Sequence, residues 1–157
     1  MKRSVRSGCL NKNERAHYPG QSLVEFALIL PLFVLFIIGV FELGRAFFSY
    51  IAITNAAREG ARVVTFWPGK TEISDVISAV NTEIGTSPVV DVSNIDSIVI
   101  ACGSGNPMAV VTTDAALKAC PSDKPVRVTV TYDFDLILQF FFSSPMMLVR
   151  SAEMMVP

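Results

Sequence analysis

Histidine is almost missing from this chain: among 157 residues there is one, His17, and it lies in a polar N-terminal stretch. Chemistry that needs an imidazole as general base, triad member or metal ligand therefore has none to draw on beyond that stretch. A phosphate cradle is missing too, since Gly103-Ser104-Gly105-Asn106-Pro107 has neither the lysine nor the following helix of such a loop. Asp133 and Asp135 share one face of an alternating segment and with Asp123 could surround a cation, but alternate polar residues on a half-exposed strand explain them without one. Basic charge is scarce in the C-terminal part. Residues 68–157 carry Lys70, Lys118, Lys124, Arg127 and Arg150 against ten acids, a net −5, which argues against nucleic acid as a partner. No internal repeat and no low-complexity linker is present. These absences predict a protein that is not an enzyme, with no cofactor, no metal and no evident small-molecule substrate.

What the chain has is one long apolar run. Gly20 to Phe41 reads GQSLVEFALILPLFVLFIIGVF, and from Leu23 to Phe41 its only charge is Glu25. That is close to the roughly 20 apolar residues a membrane-spanning helix needs. A carboxylate at the apolar start of such a helix is costly unless it finds a partner, stays protonated or reaches the headgroups. Ahead of the run, Lys2, Arg3, Arg6, Lys12 and Arg15 stand against Glu14, a net +4, with no apolar core among them. This basic leader is not a standard secretory signal. The lack of an apolar stretch before Ser7-Gly8 also excludes a lipoprotein reading of Cys9. Pro19-Gly20 is read as a break that leaves an extended peptide bond open to a membrane-embedded peptidase. A basic leader followed by an acidic C-terminal part predicts an N-terminus inside and a head outside.

Gly20 followed five residues later by Glu25-Phe26, the run SLVEFALILPLF, and the continuation ELGRAFFSYIAITNAAREGARV carry a resemblance. Over Gly20 to Phe66, and more loosely in the later VRVTVTYDF, the chain resembles the TadE-like pseudopilins of the tight-adherence (Flp-type) pilus apparatus. The resemblance implies cleavage after Gly20 by a prepilin-type peptidase, with Gln21 as the new N-terminus. It also implies assembly with other pilin or pseudopilin subunits and apparatus proteins through the N-terminal helix. Glu25 and Phe26 would be the assembly residues, and the Gln21 amine would meet the Glu25 carboxylate of its own or a neighbouring chain, because opposite charges attract strongly in a low-dielectric setting.

The helix is expected to continue past the membrane as an amphipathic stem. Leu43, Phe47, Tyr50, Thr54, Ala57, Ala61 and Val64 recur at spacings of four and three, which predicts the buried stripe, while Glu42, Arg45, Asn55, Arg58, Glu59 and Arg62 take the other faces. Pro31 is expected to kink the helix. The small residues Ala46, Ala52, Ala56, Ala57, Gly60 and Ala61 suit either close packing on the protein's own head, the preferred reading, or an intermolecular seam. Trp67-Pro68-Gly69 stops the helix. The expected organisation is a cleaved leader over 1–20, a transmembrane helix over 21–41, a stem over 42–67 and an extracytoplasmic head over 68–157.

In the head, Ile73, Val76, Ile77, Val80 and Ile84 predict a helix over 72–84 ending at Gly85. Ser97 to Ala101 reads as a strand, and so does the alternation of Val126, Val128, Val130, Tyr132 and Phe134 with Arg127, Thr129, Thr131, Asp133 and Asp135. A last strand is expected over 148–156, after a Ser143-Ser144-Pro145 turn. The apolar run Leu136 to Phe142 is expected to cover the stem. The fold class is thus α+β, a long pilin-like N-terminal helix and a head of one helix on a small antiparallel sheet. Loss of Cys9 with the leader leaves Cys102 and Cys120, read as a disulfide in an exported domain, with two free or metal-binding thiols as the alternative. The functional expectation is a minor pilin or pseudopilin in the cell membrane. Its rival is an unprocessed single-pass protein whose head binds a ligand or senses one.

Overall fold

The computed structural model describes residues 19–137 and 146–157. The expectations placed on the leader, on Leu138 to Phe142 and on the Ser143-Ser144-Pro145 turn lie outside the described residues. Helix α1 (Pro19–Phe66) is followed by α2 (Ile73–Gly85), a 3-10 turn (Val92–Asn94), β1 (Ile95–Cys102), β2 (Ala109–Val111), α3 (Asp114–Lys118), β3 (Pro125–Phe134) and β4 (Met146–Met155). The fold is α+β, as the residue pattern predicts. Two units divide at Ile38 and Gly39.

The first unit holds the apolar half of α1. Its side chains from Leu23 to Phe36 stand open, Leu28 at 75% exposure and Leu32 at 69% among them. Pro31 lies inside the helix, which continues through it as one element. Pro19 and Gly20 are already helical, where a break and an extended bond are expected from the sequence. The fixed φ of proline is itself compatible with a helix.

The second unit begins with the rest of α1. Its sheet runs β2-β1-β3-β4, antiparallel throughout, with Ile98 opposite Val130, Val128 opposite Ala152 and Tyr132 opposite Leu148. Strict alternation along β3 sends Val126, Val128, Val130, Tyr132 and Phe134 to one face, all buried. That face receives Ile53, Ala56, Ala57, Ala61 and Val64 from α1 and Val76, Val80 and Ile84 from α2 in one core. Two short elements not anticipated from the sequence, β2 and α3, occupy the loop that the Cys102–Cys120 disulfide closes across 18 positions. Asp114 of α3 accepts a hydrogen bond from the Ile73 amide at 2.9 Å, and Lys118 pairs with Glu72 at 3.0 Å, so this loop also caps α2. At the end of α1, Gly69 takes φ +74° and the Thr71 hydroxyl donates to the Val63 and Trp67 carbonyls.

The stem buries only part of the stripe its periodicity suggests: Ala57, Ala61 and Val64 are buried as expected, but the Leu43, Phe47 and Tyr50 part is not. Leu43 is 73% exposed, Phe47 64% and Tyr50 39%, whereas Glu42, Ser49, Ile53, Ala56, Ala57, Ala61 and Val64 are buried. Size decides this. A Cβ on Gly60 would lie 2.8 Å from Val80 Cγ2 and 3.2 Å from Val128 Cγ1, so around Gly60 the α1 side of this contact has no room for a side chain. Turning the Leu43–Phe47–Tyr50 side inward would forfeit that approach.

Two predictions test this packing. Gly60→Ala should lower the thermal midpoint of the full chain in detergent, because overpacking against stiff, fully buried valines costs about 1–3 kcal/mol and outweighs the roughly 1 kcal/mol by which alanine favours a helix. Gly44→Ala, with nothing within 4 Å of its Cβ, should leave the midpoint unchanged or raise it. A midpoint that rises equally in both variants would refute the close approach. For the loop, Cys102→Ser with Cys120→Ser should cost on the order of 3 kcal/mol, and both thiols of the parent protein recovered from its native membrane should resist alkylation until reduced.

Candidate functional site

Gly20, Gln21, Glu25 and Phe26 all sit in the first two turns of α1, and all are exposed. The Gly20–Gln21 bond thus lies within the first turn of the described helix. Gly20 has open space where a side chain would be. One turn on, the Gln21 side-chain amide donates to Glu25 Oε1 at 3.2 Å. A polar group on residue 21 therefore already reaches the one carboxylate of the apolar half, while the Gln21 main-chain nitrogen remains an amide of the uncut chain. Phe26 is 63% exposed.

The charges that follow the apolar run behave differently from the expected solvated face. Glu42 is 7% exposed. Its carboxylate accepts from Arg45 Nη1 at 3.0 Å and from the main-chain amide of Ile137, beyond the end of β3. Arg45 also lies 5.1 Å over the Phe134 ring and reaches the Asp135 carbonyl at 3.5 Å. The Asp135 carboxylate in turn accepts from the Asn94 side chain at 3.1 Å. Glu42 and Arg45 thus fasten the start of the stem to the exit of β3, and neither stands alone in an apolar setting. The only sequence signal for this was an i,i+3 acid–base pair directly behind an uncharged run. Farther along, Arg150 of edge strand β4 belongs to the core-facing row, and its guanidinium stacks 4.2 Å over Tyr50 and meets the Thr54 hydroxyl at 3.3 Å. Arg58 and Arg62 are exposed, and Arg62 pairs with Glu59 at 3.3 Å, a surface contact.

Residues 20–62 match the family model for TadE-like protein. The N-terminal segment is TadE-like. The match takes in Gly20, Gln21, Glu25, Phe26 and the Glu42–Arg45 pair, and leaves α2 and the sheet outside it. Comparison with curated proteins and with solved structures gives no match.

The helix that contains this TadE-like segment is the one element among the described residues long and apolar enough to cross a membrane. Among the described residues no group of three or more His, Cys, Asp or Glu is arranged to hold a metal. The Asp91 carboxyl is held below its ordinary value by the Ser93 amide, with help from the Ser93 hydroxyl, an effect of a local turn at the head surface.

The Glu42 cluster yields a prediction. Glu42→Ala removes the acceptor for Arg45 and for the Ile137 amide. Breaking a fully buried pair costs about 3–5 kcal/mol; with the Arg45 side chain 36% exposed, a loss of about 1–3 kcal/mol is expected from thermal unfolding of the full chain. Arg58→Ala, on the open side, should change stability by less than about 0.5 kcal/mol. Equal effects would show that the cluster holds nothing together.

Proposed function

We propose that this protein is a pseudopilin-like structural component of a tight-adherence pilus or a related secretion apparatus. It is processed after Gly20 and assembled in the membrane through α1. The observation that carries the reading is the TadE-matching segment itself, a spanning-length helix with Gly20 at its start and one acid, Glu25, a little over a turn later. A prepilin-type peptidase releases the leader, and the Gln21 main-chain nitrogen becomes a charged amine. That amine stands on the same helical turn that now brings the Gln21 side chain to Glu25. Within lipid, amine and carboxylate compensate each other, whether in one chain or between neighbours, and subunits in the wrong stagger leave both charges unpaired. The acidic head stays outside and the basic leader inside. The protein's role is structural and not enzymatic, and its partners are the peptidase, other pilin or pseudopilin subunits and the bilayer.

N-terminal sequencing of protein extracted from its native membrane tests the processing step. The expected sequence starts at Gln21, and Gly20→Leu should retain Met1; an intact leader on the native protein would overturn the reading. Glu25→Leu should still insert and be cleaved, yet enter the assembled apparatus poorly. Undiminished incorporation of that variant would remove the charge-pairing role.

A further inference from the structure

Between Glu25 and Arg58 the helix carries two charged residues, Glu42 and Arg45, and these neutralise each other on the side turned to the sheet. The opposite side is left apolar and open: Leu43 at 73% exposure, Phe47 at 64%, Phe48 at 62% and Ile51 at 41%. These four belong to the second unit, so the open apolar surface does not end where the sequence suggests the span ends, at Phe41. It also spreads onto the head. Phe48 and Ile51 form one wall of a groove of about 440 Å³ whose other side includes Pro88 and Val89, with Glu83 as the one charged residue that lines it. At the same end of the sheet, next to the Glu42 cluster, Ile137 and Met147 are 63% and 61% exposed.

We propose that this face of the stem is a lipid-embedded anchor, seated in the outer boundary of the bilayer with acyl chains and the interfacial layer as its partner. The proposal rests on the membrane-spanning reading of α1 made above. Helix rise supplies the scale. With Glu25 at the inner edge, about 20 residues cross a hydrocarbon core of about 30 Å and reach about residue 45, and the interfacial layer beyond extends to about residue 50. Leu43 then lies at the hydrocarbon edge, and Phe47, Phe48 and Ile51 lie in the layer that aromatic and large apolar side chains favour. Arg58 falls in water. Glu42 is carried to the level of the lipid without an open charge because Arg45 and the Ile137 amide already occupy its oxygens. Asp91, Asp133 and Asp135 rim this end of the head, and among the described residues no cluster of lysine or arginine accompanies them. A zwitterionic surface is therefore sufficient, and the contact is shallow on the acidic side and deep along the helix.

The experiment uses the full chain in phosphatidylcholine vesicles whose acyl chains carry bromine, a contact quencher of indole fluorescence. Trp67 is the single tryptophan. In a Trp67→Phe background, one tryptophan is placed at Phe36, Phe47 or Phe66 in turn. The expected result is strong loss of emission at position 36 and a smaller but distinct loss at position 47, with position 66 unaffected. Quenching at 36 without quenching at 47 overturns the proposal while leaving the spanning helix intact. A blue-shifted, unquenched signal at 47 would then mark burial against another protein chain, and a red-shifted one exposure to water. Absence of quenching at 36 overturns the spanning reading itself, and this proposal with it. Thermal midpoints of the three variants identify any that misfold, and Phe48→Trp serves as a second probe of the same face.

Discussion

The second unit depends on how closely α1 can approach the valines of α2 and β3. Gly60 sits where any Cβ would meet Val80 and Val128 inside normal contact distance, and Ala56, Ala57 and Ala61 flank it at zero exposure. At that separation the helix contributes little side-chain volume, and the core is filled from the other side by Val76, Val80, Val126, Val128, Val130 and Phe134. Dispersion contacts fall away steeply with a gap of even half an ångström. A helix with larger residues on this face would have to stand off the sheet. Small residues here therefore fix the rotation of α1 about its own axis.

That rotation has consequences at both faces. On the inner face it brings Glu42 under the exit of β3, where two donors meet its carboxylate, and it lets Arg45 lie along Phe134. On the outer face it turns Leu43, Phe47 and Phe48 away from the protein. Part of one helix thus has to satisfy two environments. Its polar groups face the protein and its apolar groups face outward, the reverse of a helix on a water-soluble domain. Such an inverted arrangement suits surroundings other than water, as in the lipid contact proposed for this face.

The head's own stability comes from ordinary sources: alternation along β3, a disulfide-closed loop, and hydrogen bonds by which α3 caps α2. The edge strand β4 carries Arg150 in its core-facing row, folded over Tyr50 of the stem. An inward-pointing charge on an edge strand discourages a further strand from pairing there. The head is thereby a body held to the stem at three levels, through Glu42 and Arg45, through Tyr50, Thr54 and Arg150, and through Gly60.

Sequence alone determined the apolar run, its single acid, and the TadE-like segment around them, because length, charge and spacing are properties of the chain before it folds. It also determined β3 and α2, whose apolar residues recur at periods of two and of three to four on one face only. Tertiary structure decided which side of the stem is buried, since both sides carry apolar residues and periodicity weighs hydrophobicity without size. It also decided the burial of Glu42, which needs an amide 95 positions away. The short β2 and α3 took shape only within the disulfide loop, having too few residues to show a period. The helical state of Pro19 and Gly20 was likewise decided by the folded chain, since proline's fixed φ is compatible with a helix and a Pro-Gly pair read as a break conceals that.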